Sequence, residues 1–154
     1  QDGQYWPIRP LATCTVWLAI DDANVENGCL RFIKGSHKEK KLKSHNINDN
    51  KNLTLNQELD KSEYNEKDAV NLTLKRGQIS LHDVYLVHGS EANNSSMARR
   101  AITMRFMPTS SVFDHQMVKD KNLFSKLNAS KYQDRKIYHM RGRDISGKNN
   151  LTYT

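Results

Sequence analysis

The sequence predicts an all-β sandwich or barrel. Its predicted strands are short, clusters of turn-forming residues separate them, and the apolar residues concentrate in two regions, 11–33 and 69–107, while 34–68 is almost entirely polar. At 154 residues the chain has the length of one domain. Its hydrophobic fraction, 36%, is low, so a core that uses the whole chain is not expected. The reading is of a single domain over 1–154, with 34–68 a polar lid or loop insertion and 112–154 a C-terminal extension.

Residues 13–20, Thr-Cys-Thr-Val-Trp-Leu-Ala-Ile, read as the first clear strand. Alternation puts Thr13, Thr15, Trp17 and Ala19 on one face and Cys14, Val16, Leu18 and Ile20 on the other. The second face is the oily one, so Trp17 points with two threonines towards something partly polar. A turn-rich connection over 21–28 ends in Asn27-Gly28 and leads to a return strand at 29–33, pairing with the first as a hairpin. In that register Cys14 and Cys29 are about 20 Å apart, whereas a disulfide needs Cα atoms within roughly 7 Å. Two free thiols suit a reducing compartment, and a cytoplasmic location is expected.

Residues 34–68 begin with the charge run Lys34, Lys38, Lys40, Lys41 and Lys43. They read as a solvated loop or short helices, or as a lid or anion-binding edge. Short strands are expected at 70–74, 78–82 and 86–88, with Asp83-Val84-Tyr85 able to interrupt the last two. A polar loop over 89–98 precedes the last clear strand, 99–107, which turns Arg99, Ala101, Thr103 and Arg105 to one side. Beyond it, 112–138 reads as irregular helix and 140–148 as a polar tail. The stretch Gly35-Ser36-His37 reads as a turn.

The 24 Lys and Arg against 17 Asp and Glu give a net charge of +7, which favours anionic partners. The lysine run contains no aromatic residue, so base stacking is unsupported and no nucleic-acid partner is expected. No apolar run approaches the roughly 18 residues that would suggest a membrane span. Of the six histidines, none lies in a C-x-x-C or H-E-x-x-H setting, which leaves zinc ribbons and zincin proteases without support. His45, His115 and His139 sit in polar segments and read as solvent-exposed. His88 stands apart because it ends a strand, Ser90 follows, and Arg99 begins the next strand eleven residues on. An Arg facing the same cavity suits a buried carboxylate, since its planar fork binds both oxygens.

At these residues the chain resembles a known family. Gln1-Asp2-Gly3, the stretch 15–23 (Thr-Val-Trp-Leu-Ala-Ile-Asp-Asp-Ala), the segment from Glu26 through Gly28 to Gly35-Ser36-His37, the segment from His88 to Arg99 and the tail from Arg141 to Gly147 together are similar to the phytanoyl-CoA dioxygenase family. The resemblance implies an incomplete double-stranded β-helix, or jelly roll, that uses Fe(II), 2-oxoglutarate and O2 to hydroxylate a small molecule while 2-oxoglutarate becomes succinate. Asp2 and His88 match metal ligands, Arg99 the arginine that grips the far carboxylate of 2-oxoglutarate, Ser90 a hydroxyl that assists it, and Trp17 a residue lining the cosubstrate pocket. Trp6 falls where relatives place an aromatic near the metal. Tyr5 and Arg9 follow closely and are candidate substrate-pocket residues, although Arg9 beside Pro10 also reads as part of a surface turn. The family's first ligand would be the residue before Gln1, so the expectation is of a piece of a longer enzyme with His directly upstream. His82, which shares the parity of His88, is the rival for the distal ligand. The alternative function is a non-catalytic jelly-roll binding protein.

Overall fold

The computed structural model describes residues 1–48, 50, 57–119, 132 and 134–153. Its twelve described strands are β1 (Ile8–Arg9), β2 (Cys14–Ala19), β3 (Leu30–Ile33), β4 (His45–Ile47), β5 (Gln57–Leu59), β6 (Ala69–Leu72), β7 (Ile79–Asp83), β8 (His88–Ser90), β9 (Ala101–Phe106), β10 (Val112–Phe113), β11 (Ile137–Tyr138) and β12 (Leu151–Thr152). The described helical elements are single 3-10 turns, so the chain is mainly β as its sequence pattern requires. No helix among the described residues is long and apolar enough to cross a membrane. The chain divides into two compact units, Gln1–Gln4 with Thr13–Phe106, and Tyr5–Ala12 with Met107–Thr154.

The first unit is built on two three-stranded antiparallel sheets, ordered β7-β2-β9 and β6-β3-β8. The expected hairpin between 13–20 and 29–33 is therefore corrected: β2 and β3 lie in different sheets, and each is the central strand of its own. The connection between them explains why. Asn27 is fully buried; its backbone N–H and side-chain oxygen exchange hydrogen bonds with Asn24, and its amide nitrogen donates to the carbonyl of Asp22 at 2.7 Å. Gly28 follows at φ +75°, and a Cβ there would stand 2.5 Å from the carbonyl oxygen of Glu91. That turn carries the chain from one sheet to the other instead of folding it back. The two thiols remain free, Cys29 buried and Cys14 exposed.

Residues from both sheets form the core of this unit: Trp17 and Ala19 of β2 with Ala23, Cys29 and Leu30, flanked by Phe32, Leu72, Leu74 and Ala101. Asp83-Val84-Tyr85 does interrupt the strands. The Asp83 carboxylate accepts from the backbone N–H of Tyr85 at 2.8 Å, ending β7 so that the chain can enter the other sheet at β8. Gly35-Ser36-His37 lies in a turn whose Ser36 hydroxyl oxygen accepts from the N–H of Val87 at 2.9 Å, fixing the approach to His88. The polar 34–68 region holds the antiparallel pair β4–β5 and two 3-10 turns capped by Asp60 and Asn65; positions 49 and 51–56 lie outside the described residues.

In the second unit β1 pairs with β10 and β11 runs parallel to β12. Trp6, Ile8 and Phe113 form its buried cluster. Where irregular helix was expected over 112–138, the described residues hold β10, the turn Met117–Lys119 and β11; 120–131 and 133 lie outside them. The 140–148 tail is tied down just beyond its end, because the Asn149 amide donates to the carbonyl of Ser111 and accepts from the N–H of Phe113. His45, His115 and His139 are half-buried rather than exposed, since each ring covers or bonds a neighbour: Nδ1 of His45 donates to the carbonyl of Lys43, His115 packs on Phe113, and His139 on Tyr153.

Candidate metal centre

The site lies on the inner face of the β7-β2-β9 sheet. Strand register places His82 and Arg105 on either side of Thr15, so the three form a row across the sheet with their side chains on one face. Asp2, in the 3-10 turn Asp2–Tyr5, meets this row. Its neighbour Gln1 anchors the segment: the buried amide donates to the carbonyls of Tyr85 and Lys41 and accepts from the N–H of Lys43, and the N–H of Gly3 donates to the carbonyl of Val84.

The two oxygens of Asp2 have different surroundings. Oδ2 accepts from Arg105 Nη2 at 2.6 Å and from the Thr15 hydroxyl at 3.0 Å, with His82 Nε2 3.8 Å away. Oδ1 faces His88 Nε2 at 3.5 Å. The carboxylate, both imidazoles and Phe32 lie close together, with the two histidine rings 4.9 Å apart between centroids. Burial alone would favour a protonated Asp2, but the hydrogen bond from His82 and the charge and hydrogen bond of Arg105 outweigh it and hold the carboxyl well below the usual carboxylate range. Asp2 is thus an anion. Burial pushes the pKa of His88 down, against the pull of Asp2, which favours a neutral ring.

The tautomer of His88 follows from its partner. Its Nδ1 lies 2.9 Å from the carbonyl of Leu86, which can only accept, so Nδ1 carries the proton and Nε2 presents a lone pair. The lone pair faces the Asp2 carboxylate oxygen at 3.5 Å, an arrangement that would suit a cation held between the two. Asp2, His82 and His88 each offer one ligand atom, all within 4.8 Å of one another. One carboxylate and two imidazoles are the donor set that suits non-haem Fe(II) and leaves further positions open.

Two residues carried over from the resemblance meet beside this row. The Arg99 guanidinium lies 5.9 Å from the centroid of the Trp17 ring. Arg99 Nε, Ser80 Oγ and His82 Nδ1 are buried without a hydrogen-bond partner. Buried polar atoms are seldom left so, and an arginine among them fits an anionic ligand. Ser90 is exposed on β8, opposite Leu30 of β3. Tyr5, Trp6 and Arg9 belong to the second unit. There Trp6 is buried, Tyr5 packs beside it, and Arg9 Nη1 donates to the carbonyl of Ile8 at 2.7 Å.

His82 enters the cluster together with His88 rather than in its place. No sequence motif assigns a role to Thr15 or Arg105, though the alternation that sets Arg105 on the face of Arg99 and Thr15 on that of Trp17 contains the signal. What it lacks is the approach of residue 2 to that row.

Comparison with known proteins agrees with this geometry. The family model described as phytanoyl-CoA dioxygenase (PhyH) matches residues 1–101. A phytanoyl-CoA dioxygenase domain-containing protein 1 homolog of Dictyostelium discoideum is 36% identical over 109 residues, 70% of this chain and 39% of that protein. The peroxisomal phytanoyl-CoA dioxygenase of Homo sapiens is 32% identical over 109 residues, 69% of this chain and 32% of that protein. Among solved structures, EvdO2 of Micromonospora carbonacea var. aurantiaca, complexed with 2-oxoglutarate, superposes with a TM-score of 0.58 at 27% identity, covering 68% of this chain and 42% of that one. The chain therefore spans about two fifths or less of the length of these relatives, and its sheets are those of the jelly-roll oxygenases. On the family match and these identities, the chain belongs to the phytanoyl-CoA dioxygenase family.

Proposed function

We propose that this protein is an Fe(II)- and 2-oxoglutarate-dependent dioxygenase acting on a small molecule. The observation that carries the reading is the opposition of Asp2 Oδ1 and His88 Nε2, two lone-pair donors 3.5 Å apart with the His82 ring beside them. Fe(II), with 2-oxoglutarate and O2, would supply the oxidising chemistry that no side chain has. The chain's own residues do the rest. Asp2 and His88 hold the metal, and His82 contributes a third nitrogen within reach. Arg99 receives the far carboxylate of 2-oxoglutarate, offsetting the cost of burying that charge, with Trp17 forming the wall beneath it and Ser90 assisting.

Anaerobic addition of Fe(II) and 2-oxoglutarate to the purified protein tests this. The expected result is a visible charge-transfer band from the chelated cosubstrate, succinate on admission of air, and loss of both in Asp2→Ala. A protein that yields neither band nor succinate is a non-catalytic relative, and the proposal fails.

A further inference from the structure

We propose that Arg105 and Thr15 are positioning residues that restrict Asp2 to a single metal-binding oxygen; the proposal rests on the metal reading above. Three hydrogen bonds form a closed ring: Arg105 Nη2 to Asp2 Oδ2 at 2.6 Å, Thr15 Oγ1 to the same oxygen at 3.0 Å, and Arg105 Nε to Thr15 Oγ1 at 3.1 Å. Thr15 is 1% exposed, so water does not compete for its hydroxyl. The Arg105 side chain is mostly buried and reaches both partners from the adjacent strand.

The ring fixes the rotation of the carboxylate. A free carboxylate can turn about its Cβ–Cγ bond and offer a metal either or both oxygens. Here Oδ2 already accepts two hydrogen bonds, one of them charge-assisted, and turning it towards a metal on the His88 side would break both. Oδ1 is left as the only oxygen presented to His88. The number of oxygens matters for the chemistry. With two imidazoles and one carboxylate oxygen, a six-coordinate metal keeps three positions, enough for two oxygens of 2-oxoglutarate and for O2. If both carboxylate oxygens bind, one of those positions is lost. Groups that hold ligands in this way typically contribute about 10–100-fold in metal affinity.

The test compares the parent with Arg105→Ala, Arg105→Lys and Thr15→Val, each first checked for an unchanged circular dichroism spectrum. Co(II) is titrated by calorimetry, and the carboxylate infrared bands are recorded with and without metal. The expected parent shows the wide splitting between asymmetric and symmetric stretches of a one-oxygen carboxylate. In Arg105→Ala the splitting narrows and affinity falls about 10–100-fold. Thr15→Val shifts in the same direction by less, and Arg105→Lys, which keeps the charge without the fork, falls between. Variants that bind Co(II) with the parent's affinity and splitting overturn this inference alone. A parent that binds no metal ends the metal reading and this inference with it.

Discussion

The two faces of the β7-β2-β9 sheet are opposites in composition and in exposure. One carries Thr15, Trp17, Ala19, Ser80, His82 and Arg105, of which Thr15, Trp17, Ala19 and His82 are buried. The other carries Val16, Leu18, Ile79, Leu81, Ile102, Met104 and Phe106, with Ile79 51% and Leu81 62% exposed. The oilier face is the one open to solvent. Apolar patterning reports which residues share a face and that the face is suited to burial, but not which face the described chain covers. The chemistry gathers on the mixed face, where Thr15 and Arg105 can be turned inward because each finds a partner in the other and in Asp2.

Truncation of the inner face provides the largest test of that contrast. Trp17 is central to the first unit's core and 6% exposed. Trp17→Ala is expected to cost about 3–5 kcal/mol, read as a lowered midpoint in urea unfolding. A loss below about 1 kcal/mol would mean that the inner face is not the core of this unit.

The outer face provides the second. Leu81→Thr keeps β-propensity and is expected to change stability by no more than about 0.5 kcal/mol. Leu81→Lys combined with Ile102→Lys is expected to reduce self-association, seen as a smaller weight-average mass in sedimentation at equal concentration, because a contiguous exposed apolar patch drives proteins together in water. If Leu81→Thr destabilises as much as Trp17→Ala, the two faces are equally covered in solution and the comparison breaks.

Most of the strand content was legible in the sequence, because alternation depends only on neighbours two residues apart. The strands containing Trp17, His82 and Arg105 fall within a residue or two of where the pattern puts them. Pairing was not legible. The partners of β2 are 79–83 and 101–106, contacts that bridge more than sixty residues, while the local turn at 21–28 suggested the hairpin that does not form. The site divides along the same line. Asp2, His88, Arg99 and Trp17 stand in motifs and could be named from them. Thr15 and Arg105 stand in none, and their role appears only when strand register puts them beside each other and residue 2 reaches them.

The smallest effect lies at the rim where the two faces end. Just past β2, Asp21 takes three hydrogen bonds from Arg100: its backbone N–H at 2.8 Å and the guanidinium Nε and Nη2 at 2.9 and 2.8 Å. They close the β2–β9 pairing at the end where the N–H of Ile20 also donates to the carbonyl of Arg100. Arg100 holds the Asp21 carboxyl down at about 2, against an ordinary value of 3.8. A carboxyl whose pKa is lower folded than unfolded stabilises the fold above its unfolded value and loses that contribution as pH falls through the folded one. The clamp is therefore complete at neutral pH, weakens below about 4, and is gone below about 2. Arg100 is exposed and Asp21 partly so, which leaves the pair screened by solvent; its effect is small and falls further with salt. Asp21→Asn should melt slightly below the parent at pH 7, with the gap closing between about pH 4 and pH 2 and narrowing in high salt. A gap that stays constant over that range would show that the side-chain hydrogen bonds, not the charge, hold the rim, and that the two faces are joined there without electrostatic help.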